Sequence, residues 1–378
     1  MAKDQHKLSS NPPSTNRNLN ILQIGPLPPP IGGIATCMQN LITALEPHCD
    51  VRYLNNAKST ADDRPLWVGI LAQLKLLKKL VKFAYRWRPD VSHIHTCSYF
   101  TFWRTVLDLA ILKIFGCKVV IHIHGAEFHK FLGGLGPIKL LLAKIAFKTV
   151  DRVIILSEGW NTILSPWIDP TKMFVLPNGT PIPDISPSEK TKPPNIICIA
   201  NYERRKGQID LLSAVSTLSY QGPLKLVLMG EEMETGQKDA LRSFVNENNL
   251  ENIVDIHGPV FGDKKRPFME NATIFCLPSY DEGLPLAMLE AMSFGLPVIC
   301  TTVGAIPEVI DQDINGLLYN PGDTAALTTC LDKLLVDTPY ALSVGIAGRQ
   351  LIIQKYSINA IAIQLTHLYD ELMTKRTA

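Results

Sequence analysis

The sequence predicts an α/β fold made of two Rossmann-like, doubly wound parallel sheets. Short β-rich runs alternate with longer amphipathic stretches in the first half of the chain, and the same alternation starts again in the second half. A proline-rich segment separates the two halves. A chain of 378 residues also exceeds what one compact core usually holds, so we expect two domains.

The first predicted element is a strand that ends in a glycine turn. The apolar run at residues 20–24 stops at Gly25, and prolines at 28–30 and the pair Gly32 and Gly33 follow. An amphipathic segment at 34–45 comes next, so the order strand, glycine turn, helix indicates the start of a βαβ unit. Further β-rich runs of this half lie at 91–95, 119–124 and 153–156.

Six prolines between residues 177 and 194 mark the connection between the domains. After them, β-rich runs return at 195–200, 224–229, 254–257, 273–277 and 298–300. The predicted organisation is a flexible polar tail at 1–18, an N-terminal domain at 19–185, a linker at 186–194, a C-terminal domain at 195–355 and a terminal segment at 356–378. Residues 358–373 of that segment have the pattern of an amphipathic helix.

Composition indicates a globular protein of a reducing compartment. Hydrophobic residues make up 46% of the chain and charged residues 19%, which argues against long disorder. The eight cysteines include no Cys-x-x-Cys pair, and several lie in apolar runs, as buried free thiols do. The first 18 residues lack the apolar core of a signal peptide. We expect a cytoplasmic protein, with a peripheral position on the inner face of the cell membrane as a further option.

The net charge of +2 hides an asymmetry between the halves. Residues 1–190 contain 22 lysines and arginines against 13 acidic residues, whereas the remainder contains 15 against 22. A basic first half favours an anionic partner, and phosphates and acidic lipid headgroups are both candidates. The alternative is a charge distribution that only keeps the protein soluble.

The most informative segment carries two glutamates separated by seven residues. A strand ends near Leu277, the following loop carries Glu282 and Gly283, and Pro285 occupies the expected start of a helix. That helix begins at the carboxyl edge of the sheet, where its free amides and positive dipole end can receive a diphosphate. Glu290 then lies roughly 8 to 12 Å from Glu282 by helix rise and loop length. This span suits a nucleotide sugar whose sugar and ribose hydroxyls each contact one carboxylate.

At this segment the sequence resembles the retaining glycosyltransferases of family four, which have the GT-B fold with a cleft between two Rossmann-like domains. The resemblance covers nearly the whole chain after residue 19. The Glu-x7-Glu motif of that family falls on Glu282 and Glu290. The segments that follow also match, namely Gly-Leu-Pro-Val-Ile at 295–299, Val-Gly-Ala-Ile-Pro-Glu at 303–308, Asn-Gly-Leu-Leu at 315–318 and Pro-Gly-Asp at 321–323.

The resemblance implies a role for each residue of the motif. Glu282 is implied to be a catalytic residue that contacts the donor sugar, and Glu290 is implied to hold the ribose. Amides around Gly283 and Leu284 are implied to meet the sugar or the diphosphate. Retention in the family follows front-face substitution, in which the departing phosphate oxygen helps to take the acceptor proton. No protein nucleophile, cofactor or metal ion is then expected besides the nucleotide-diphosphate sugar.

Three consecutive cations follow the strand predicted at 195–200. Cations at the carboxyl edge of a sheet offset the charge that builds on a leaving diphosphate. The family pattern Gly-Arg-x4-Lys-Gly places its lysine on Lys206, whereas its arginine position is Asn201 in this chain. Arg205 or Arg204 is the candidate to replace that arginine, and a solvated surface position is the alternative for both.

The pair Gly32 and Gly33 resembles the N-terminal glycine loop of the family. Small residues there let backbone amides approach the diphosphate from the opposite domain. The resemblance makes Gly33 a predicted donor contact, although the pair alone indicates only a turn between a strand and a helix.

Four histidines form two strand-spaced pairs, at 93 and 95 and at 122 and 124. A metal site is geometrically possible, but we expect none because no nearby cysteine or acidic cluster completes it. The family has a His-Gly pair at His124, near the donor sugar and the acceptor. A neutral histidine there can bind a sugar hydroxyl or stabilise developing charge, so we predict His124 as a catalytic residue. The other three histidines are predicted to be packing or acceptor-pocket residues.

Residues 66–87 combine an apolar stripe with lysines on the rest of a predicted helix. Such a helix can dock on an anionic membrane. An ordinary helix with its stripe in the core gives the same pattern, and we favour this interpretation. No spanning helix is expected, because lysines interrupt every long apolar run.

These observations predict a hexosyltransferase-type glycosyltransferase. Its expected partners are a nucleotide-sugar donor, a saccharide or lipid-linked acceptor of bacterial surface polysaccharide synthesis, and an anionic membrane surface, with no role for nucleic acid. One alternative is a transferase for a soluble acceptor such as a sugar phosphate. Another is a catalytically silent nucleotide-binding protein of the same fold, for which Asn201 is the one hint. A sugar epimerase of similar fold is a distant third.

Overall fold

The computed structural model describes residues 18–28, 32–57, 66–187 and 193–374, and its core is a pair of parallel six-stranded sheets. The first sheet contains β1 (Asn20–Gly25), β2 (Asp50–Asn55), β3 (Val91–Thr96), β4 (Lys118–Ile123), β5 (Arg152–Ile155) and β6 (Met173–Val175). The second contains β7 (Asn195–Ile199), β8 (Lys225–Met229), β9 (Val254–His257), β10 (Ile274–Leu277), β11 (Val298–Thr301) and β12 (Leu317–Tyr319). The predicted α/β class with two parallel sheets is confirmed.

Helices connect the strands and cover both faces of each sheet. Those before the second sheet are α1 (Gly33–Leu45), α2 (Leu66–Lys82), α3 (Phe100–Ile114), α4 (Phe128–Gly133), α5 (Pro137–Thr149) and α6 (Glu158–Leu164). The later helices are α7 (Gln208–Ser216), α8 (Gln237–Glu247), α9 (Arg266–Asn271), α10 (Leu286–Ser293), α11 (Ile306–Val309), α12 (Thr324–Val336), α13 (Thr338–Leu351) and α14 (Ile358–Thr374). Single π-helical turns at Phe83–Trp87 and Ile352–Tyr356 extend α2 and α13.

Each sheet has a point at which the chain reverses the direction in which it adds strands. The strand order is β2-β1-β3-β4-β5-β6 in the first sheet and β12-β11-β10-β7-β8-β9 in the second. The reversal therefore lies between β1 and β3 in one sheet and between β7 and β10 in the other. Open α/β sheets bind ligands outside the carboxyl ends of the strands at such switch points. The fold thus predicts where a site lies before any side chain is considered.

The terminal helix α14 packs into one of the two apolar clusters that cover the faces of the first sheet. One face of the first sheet packs against α3 and α5 through a cluster that includes Phe102 and Phe147. The opposite face packs against α1 and α14, and Leu41, Leu365 and Tyr369 lie in that cluster. The terminal helix therefore contributes to the core of the first sheet although it follows the second sheet along the chain.

The sequence pattern missed three strands of the sheets. All three are edge or terminal strands: β2 alternates polar and apolar residues and is largely exposed, and β6 and β12 have only three residues each. Periodicity carries little information in such short or exposed runs. The residues of the predicted tail at 1–17 and of the linker at 188–192 lie outside the described part of the chain. The proposed domain boundaries remain a prediction.

The interpretation of the 66–87 segment as a core-facing helix is wrong for most of its apolar stripe. Five of the stripe residues are exposed, namely Trp67, Ile70, Leu71, Leu74 and Val81. Only the end of the segment enters the core, through Leu80 and Ala84. The reason is that α2 meets the sheet with its last turns and leaves its earlier apolar face uncovered. Within the described ranges, no helix is long and apolar enough to cross a membrane.

Candidate active site

A cleft of about 760 Å³ lies between the carboxyl edges of the two sheets. We call its lining residues between 32 and 183 the first wall and those between 199 and 294 the second wall. All eight positions predicted from the sequence line this cleft: Gly33, His124, Arg205, Lys206, Glu282, Gly283, Leu284 and Glu290. The structure therefore brings these residues together, while the role of each stays a prediction.

Glu282 is the centre of a polar cluster on the second wall. The Lys206 Nζ atom lies 2.6 Å from Glu282 Oε1, and the two side chains are only 12% and 10% exposed. The hydroxyl of Ser279 donates to the same carboxylate oxygen at 2.8 Å. Because an ionised carboxylate accepts at both oxygens, Oε2 of Glu282 is left for a further donor such as a ligand hydroxyl.

Two glycines let the backbone fold tightly around this ion pair. Gly207 follows Lys206 with φ of +67°, and a Cβ there would lie 2.1 Å from the carbonyl oxygen of Pro278. Gly304 has φ of +56°, and its Cβ would lie 2.0 Å from the carbonyl oxygen of Glu282. Larger residues cannot occupy either position without moving the backbone. The loops that carry Lys206 and Glu282 are thus held against neighbouring main chain.

Glu290 forms a second ion pair, with a residue that the sequence argument did not identify. The Lys265 ammonium contacts Glu290 Oε2, and both side chains are largely buried, at 21% and 15% exposure. Lys265 lies in a run of three cations at 264–266, of which Arg266 is the first residue of α9. That run was the available signal, but neither spacing nor the family motif linked it to Glu290.

Two helices begin at the cleft, one on each wall. Helix α1 begins at Gly33 after the cap residue Gly32, and α10 begins at Leu286 after Pro285. The pattern placed Pro285 at the first helical position, whereas the structure places it one residue earlier, at the cap. Neither cap residue makes a side-chain hydrogen bond to the helix. The first residues of both helices line the cleft, so their free amides and positive dipole ends are available to a ligand there.

The first wall approaches the second at His124. A Cβ added to Gly283 would lie 3.3 Å from the carbonyl oxygen of His124, so the two walls are close at this point. The His124 ring is half-buried, and its Nε2 atom lies 2.9 Å from His95 Nδ1. Burial lowers the pKa of His124 from 6.5 to about 3. A ring that is neutral at pH 7 fits a hydrogen-bonding role better than that of a cation.

The expectation that no cysteine lies near the paired histidines is wrong. The ligand atoms of Cys37, His95 and His124 lie within 4.8 Å of one another, as do those of His93, His95 and His122. Cys37 comes from α1, far from the histidines along the chain, so spacing gave no sign of it. These atoms make hydrogen bonds, since the Cys37 thiol contacts Asn178 and His95 pairs with His124.

The arginine candidates occupy different surroundings. Arg205 lines the cleft, and its Nε atom donates to Glu203 at 2.6 Å. Arg204 is 82% exposed and pairs with Glu234. Asn201, which occupies the arginine position of the family, lines the cleft as well. Of the two arginines, Arg205 is therefore the one placed to meet a ligand there.

The chain matches two family descriptions, one in each half. Residues 31–182 match "Glycosyltransferase Family 4" and residues 193–337 match "Glycosyl transferases group 1". The alpha-maltose-1-phosphate synthase of Mycolicibacterium smegmatis is 27% identical over 91% of this chain and 97% of its own length.

Two further relatives match over shorter stretches. The MMP alpha-(1->4)-mannosyltransferase of Mycolicibacterium hassiacum is 27% identical over 62% of this chain and 57% of its own length. The GDP-mannose:cellobiosyl-diphosphopolyprenol alpha-mannosyltransferase of Xanthomonas oryzae is 25% identical over 61% of this chain and 60% of its own length. The alignments thus span little more than half of these two proteins.

Solved structures share the fold. The sucrose-phosphate synthase of Thermosynechococcus elongatus has a TM-score of 0.77 and 21% identity, with 94% of this chain and 100% of that chain covered. HepE of Anabaena in complex with UDP has a TM-score of 0.73 and 20% identity, with 93% and 100% covered. At these identities the likeness shows the two-domain GT-B fold alone. Because the two family matches together span more than half of its 378 residues, the chain belongs to the group 1 glycosyltransferases of glycosyltransferase family 4.

Proposed function

We propose that this glycosyltransferase moves a sugar from a nucleotide-diphosphate sugar to an acceptor, with retention of the anomeric configuration. The observation that carries the proposal is the Lys206–Glu282 ion pair, which lies at the carboxyl edge of the second sheet within reach of the cleft. A cation and a carboxylate side by side can receive the two ends of such a donor, the diphosphate and the sugar hydroxyls.

The second wall supplies the donor contacts in this proposal. Lys206 and Arg205 offset the charge of the diphosphate, and the amides at Gly283 and Leu284 approach it from the start of α10. Glu282 accepts from a sugar hydroxyl, and Glu290 accepts from the ribose hydroxyls. Gly33, at the start of α1, brings a backbone amide from the first wall. HepE, a structural relative, was solved in complex with UDP, which supports a nucleotide in this cleft.

Retention is supported by the chemistry of the first wall. The described residues that line this wall include no aspartate or glutamate. The half-buried His124 has a lowered pKa and is neutral at pH 7, and its Nε2 atom is already bound to His95. We therefore assign the acceptor proton to the leaving phosphate oxygen: the bond from the anomeric carbon to that oxygen breaks while the acceptor oxygen bonds on the same face. No metal ion enters the proposal, because Lys206 and Arg205 supply the positive charge.

The surface of the first domain supports an acceptor carried by a membrane. Helices α2, α3 and α5 pack side by side over one face of the first sheet. Their outer surface, which we call the outer helix face, exposes large apolar side chains: Trp67, Ile70, Leu71, Leu74, Val81, Leu107, Ile114, Ile138, Leu141, Leu142 and Ile145. Helices α2 and α5 also contain seven lysines and no acidic residue. An exposed apolar surface on helices that are rich in lysine fits the interface of an anionic membrane.

We infer from this surface that the acceptor is lipid-linked, as in the assembly of bacterial surface polysaccharides, and that the enzyme works at the inner face of the cell membrane. The relative from Xanthomonas oryzae, whose name includes a diphosphopolyprenol acceptor, supports this assignment. A soluble acceptor such as a sugar phosphate is the second candidate, because the alpha-maltose-1-phosphate synthase aligns over nearly its whole length.

Release of nucleoside diphosphate tests the proposal. The protein is incubated with a panel of nucleotide sugars, with and without a membrane lipid extract, alongside Glu282→Gln. The exposed Glu247→Gln on α8 is the matched control. We expect release that needs both the extract and Glu282, while the control retains the activity of the unchanged protein. Release with a sugar phosphate and no lipid supports the soluble acceptor, and nucleotide binding without turnover of any donor supports the silent protein.

A further inference from the structure

The cleft histidine is one end of a buried chain of hydrogen bonds that enters the core of the first sheet. His124 Nε2 lies 2.9 Å from His95 Nδ1, and His95 Nε2 lies 2.9 Å from Gln23 Oε1. His95 and Gln23 are fully buried on neighbouring strands, β3 and β1. The cleft is thereby connected to a side chain that no sequence motif identified.

The chain of hydrogen bonds continues to the terminal helix, α14. Gln23 Nε2 donates to the hydroxyl of Tyr369 at 3.2 Å, and that hydroxyl lies 2.6 Å from His93 Nδ1. His93 Nε2 in turn lies 3.2 Å from His122 Nδ1. Tyr369 is on α14, so a residue near the end of the sequence takes part in a network that reaches the cleft.

The direction of these hydrogen bonds depends on Gln23. A neutral imidazole or a hydroxyl can donate or accept, whereas an amide has one donor end and one acceptor end. Because Gln23 Oε1 can only accept, His95 carries its proton on Nε2 and its Nδ1 atom has a lone pair. The contact with His124 then needs a proton on His124 Nε2, which leaves His124 Nδ1 as an acceptor.

The other branch has the same direction. The hydroxyl of Tyr369 accepts from Gln23, so its own hydrogen points to His93 Nδ1. His93 then carries its proton on Nε2 and donates to His122 Nδ1. The orientation of one amide therefore places the proton of all four histidines on Nε2, and the reversed amide would place all four on Nδ1.

From this geometry we propose that Gln23 and Tyr369 are positioning residues, which hold His124 in the Nε2-protonated tautomer so that its Nδ1 atom accepts a hydrogen bond from a donor-sugar hydroxyl. Only the role of the sugar hydroxyl rests on the proposed function. The tautomer itself is a property of the free protein and is measured without any substrate.

Burial keeps the network uncharged, and only an uncharged ring can accept, because a doubly protonated ring has no acceptor. Burial lowers the pKa of His93 to about 3 and that of His95 well below 6.5. It also holds the hydroxyl of Tyr369 in its protonated form by raising its pKa. The six side chains of the network include no carboxylate that would favour an imidazolium.

Nuclear magnetic resonance of the full chain tests the proposal directly. Histidine labelled with nitrogen-15 distinguishes the two tautomers through long-range couplings from the ring carbon protons, and single His→Gln variants assign the signals. At pH 7 we expect His93, His95, His122 and His124 all with the proton on Nε2. Protons on Nδ1 in His95 and His124, or a doubly protonated His124, would overturn the proposal.

Substitutions separate positioning from packing. Tyr369→Phe removes the hydroxyl that holds the amide, and we expect His124 to populate both tautomers. The matched control is Tyr319→Phe, since Tyr319 is also buried but its hydroxyl has no partner among the described residues. Gln23→Leu is the second variant, which removes both amide contacts should Tyr369→Phe fail to fold.

Turnover gives an independent reading, with UDP-glucose and GDP-mannose as probes. For a probe that the unchanged protein turns over, we expect kcat of Tyr369→Phe to fall about tenfold with KM within about twofold. The reason is that the His124 ring keeps its position and loses only its fixed tautomer. If neither probe is used, the proposed donor chemistry is in question while the resonance result still decides the tautomer. A single unchanged tautomer in a folded Tyr369→Phe or Gln23→Leu protein contradicts the proposal.

Discussion

The two walls of the cleft differ in how they hold polar groups. The second wall carries ion pairs, Lys206 with Glu282 and Lys265 with Glu290, in which each charge is offset by a neighbour. The first wall presents His124, which belongs to a network of neutral rings bound to one another. One wall is therefore a charged surface that is already paired, and the other is uncharged.

The difference suggests a division of labour in glycosyl transfer. A paired carboxylate or ammonium can bind a further hydroxyl or phosphate through its remaining hydrogen-bonding positions while it keeps its partner. A neutral wall can orient the donor sugar, but it holds no base strong enough to take the proton of the acceptor hydroxyl. In the mechanism that we propose, the second wall holds the donor and the first wall orients it, so the leaving phosphate must take the acceptor proton.

The largest effect is expected when an ion pair of the second wall loses one of its two residues. Lys206→Met should reduce turnover by about 100-fold or more, because a cation that offsets the leaving diphosphate is removed. It should also lower the free energy of unfolding by about 3 kcal/mol, since the nearly buried Glu282 carboxylate loses its counter-ion. Nucleoside diphosphate release and denaturant unfolding measure the two effects.

A double variant distinguishes these two losses. Lys206→Met with Glu282→Gln removes both charges and should recover most of the stability while turnover stays low. The exposed Lys225→Met is the control and should change neither quantity. A Lys206→Met protein that keeps a third or more of the turnover would contradict the assignment of the charged wall to the donor.

The second-largest effect is expected at low pH, from the buried histidines beside the first wall. Burial lowers the pKa of His93 and of His124 to about 3, compared with 6.5 in an unfolded chain. The unfolded chain therefore binds protons that the native protein does not, so the contribution of each histidine is complete above pH 6.5 and is lost as the pH falls towards 3. The slope is about 1.4 kcal/mol per pH unit for each residue. Between pH 7 and 5 the free energy of unfolding should fall by roughly 4 kcal/mol from these two residues.

Denaturant unfolding at several pH values measures that slope. His93→Gln should reduce the change of the free energy of unfolding with pH by about the contribution of one histidine, whereas the exposed His48→Gln should not reduce it. A free energy of unfolding that is equal at pH 7 and pH 5 would show that the rings of the neutral wall are not held as the structure has them.

The smallest effect concerns the outer helix face. Replacing exposed Trp67 and Ile70 by serine removes apolar area from α2 without touching either wall. We expect affinity for phosphatidylglycerol vesicles to fall about tenfold, measured by co-flotation, with the affinity of the cleft for nucleoside diphosphate unchanged. The matched control replaces the exposed Ile346 and Ile353 of the C-terminal part. Equal vesicle binding by both double variants would contradict membrane binding through the outer helix face.

The sequence predicted the charged wall better than the neutral one. Lys206 and Glu282 lie in motifs that follow the ends of β7 and β10, and Glu290 lies in α10, which starts after the same loop as Glu282, so topology decides which of them meet. The pairing of Lys265 with Glu290 was missed, because it depends on how the segment after β9 folds over α10. Local spacing carries no information on such a contact.

The neutral wall depends on contacts between distant parts of the chain. Gln23 and Tyr369 are 346 residues apart, and Cys37 reaches the histidines from another element. The pattern on β3 and β4 placed each histidine pair on one face of a strand, but only the sheet order placed the pairs beside one another. The apolar stripe of α2 was misinterpreted for a related reason, since periodicity shows that a face is apolar and does not show what covers it.

The configuration of the product tests the central claim most directly. For the nucleotide sugar that the enzyme turns over, the anomeric proton of the new glycoside is followed by proton resonance from the first turnovers. We expect the product to keep the anomeric configuration of the donor, because the described lining of the first wall contains no carboxylate to act as a base on the opposite face. An inverted product would require such a base and would contradict the division between a charged wall and a neutral one.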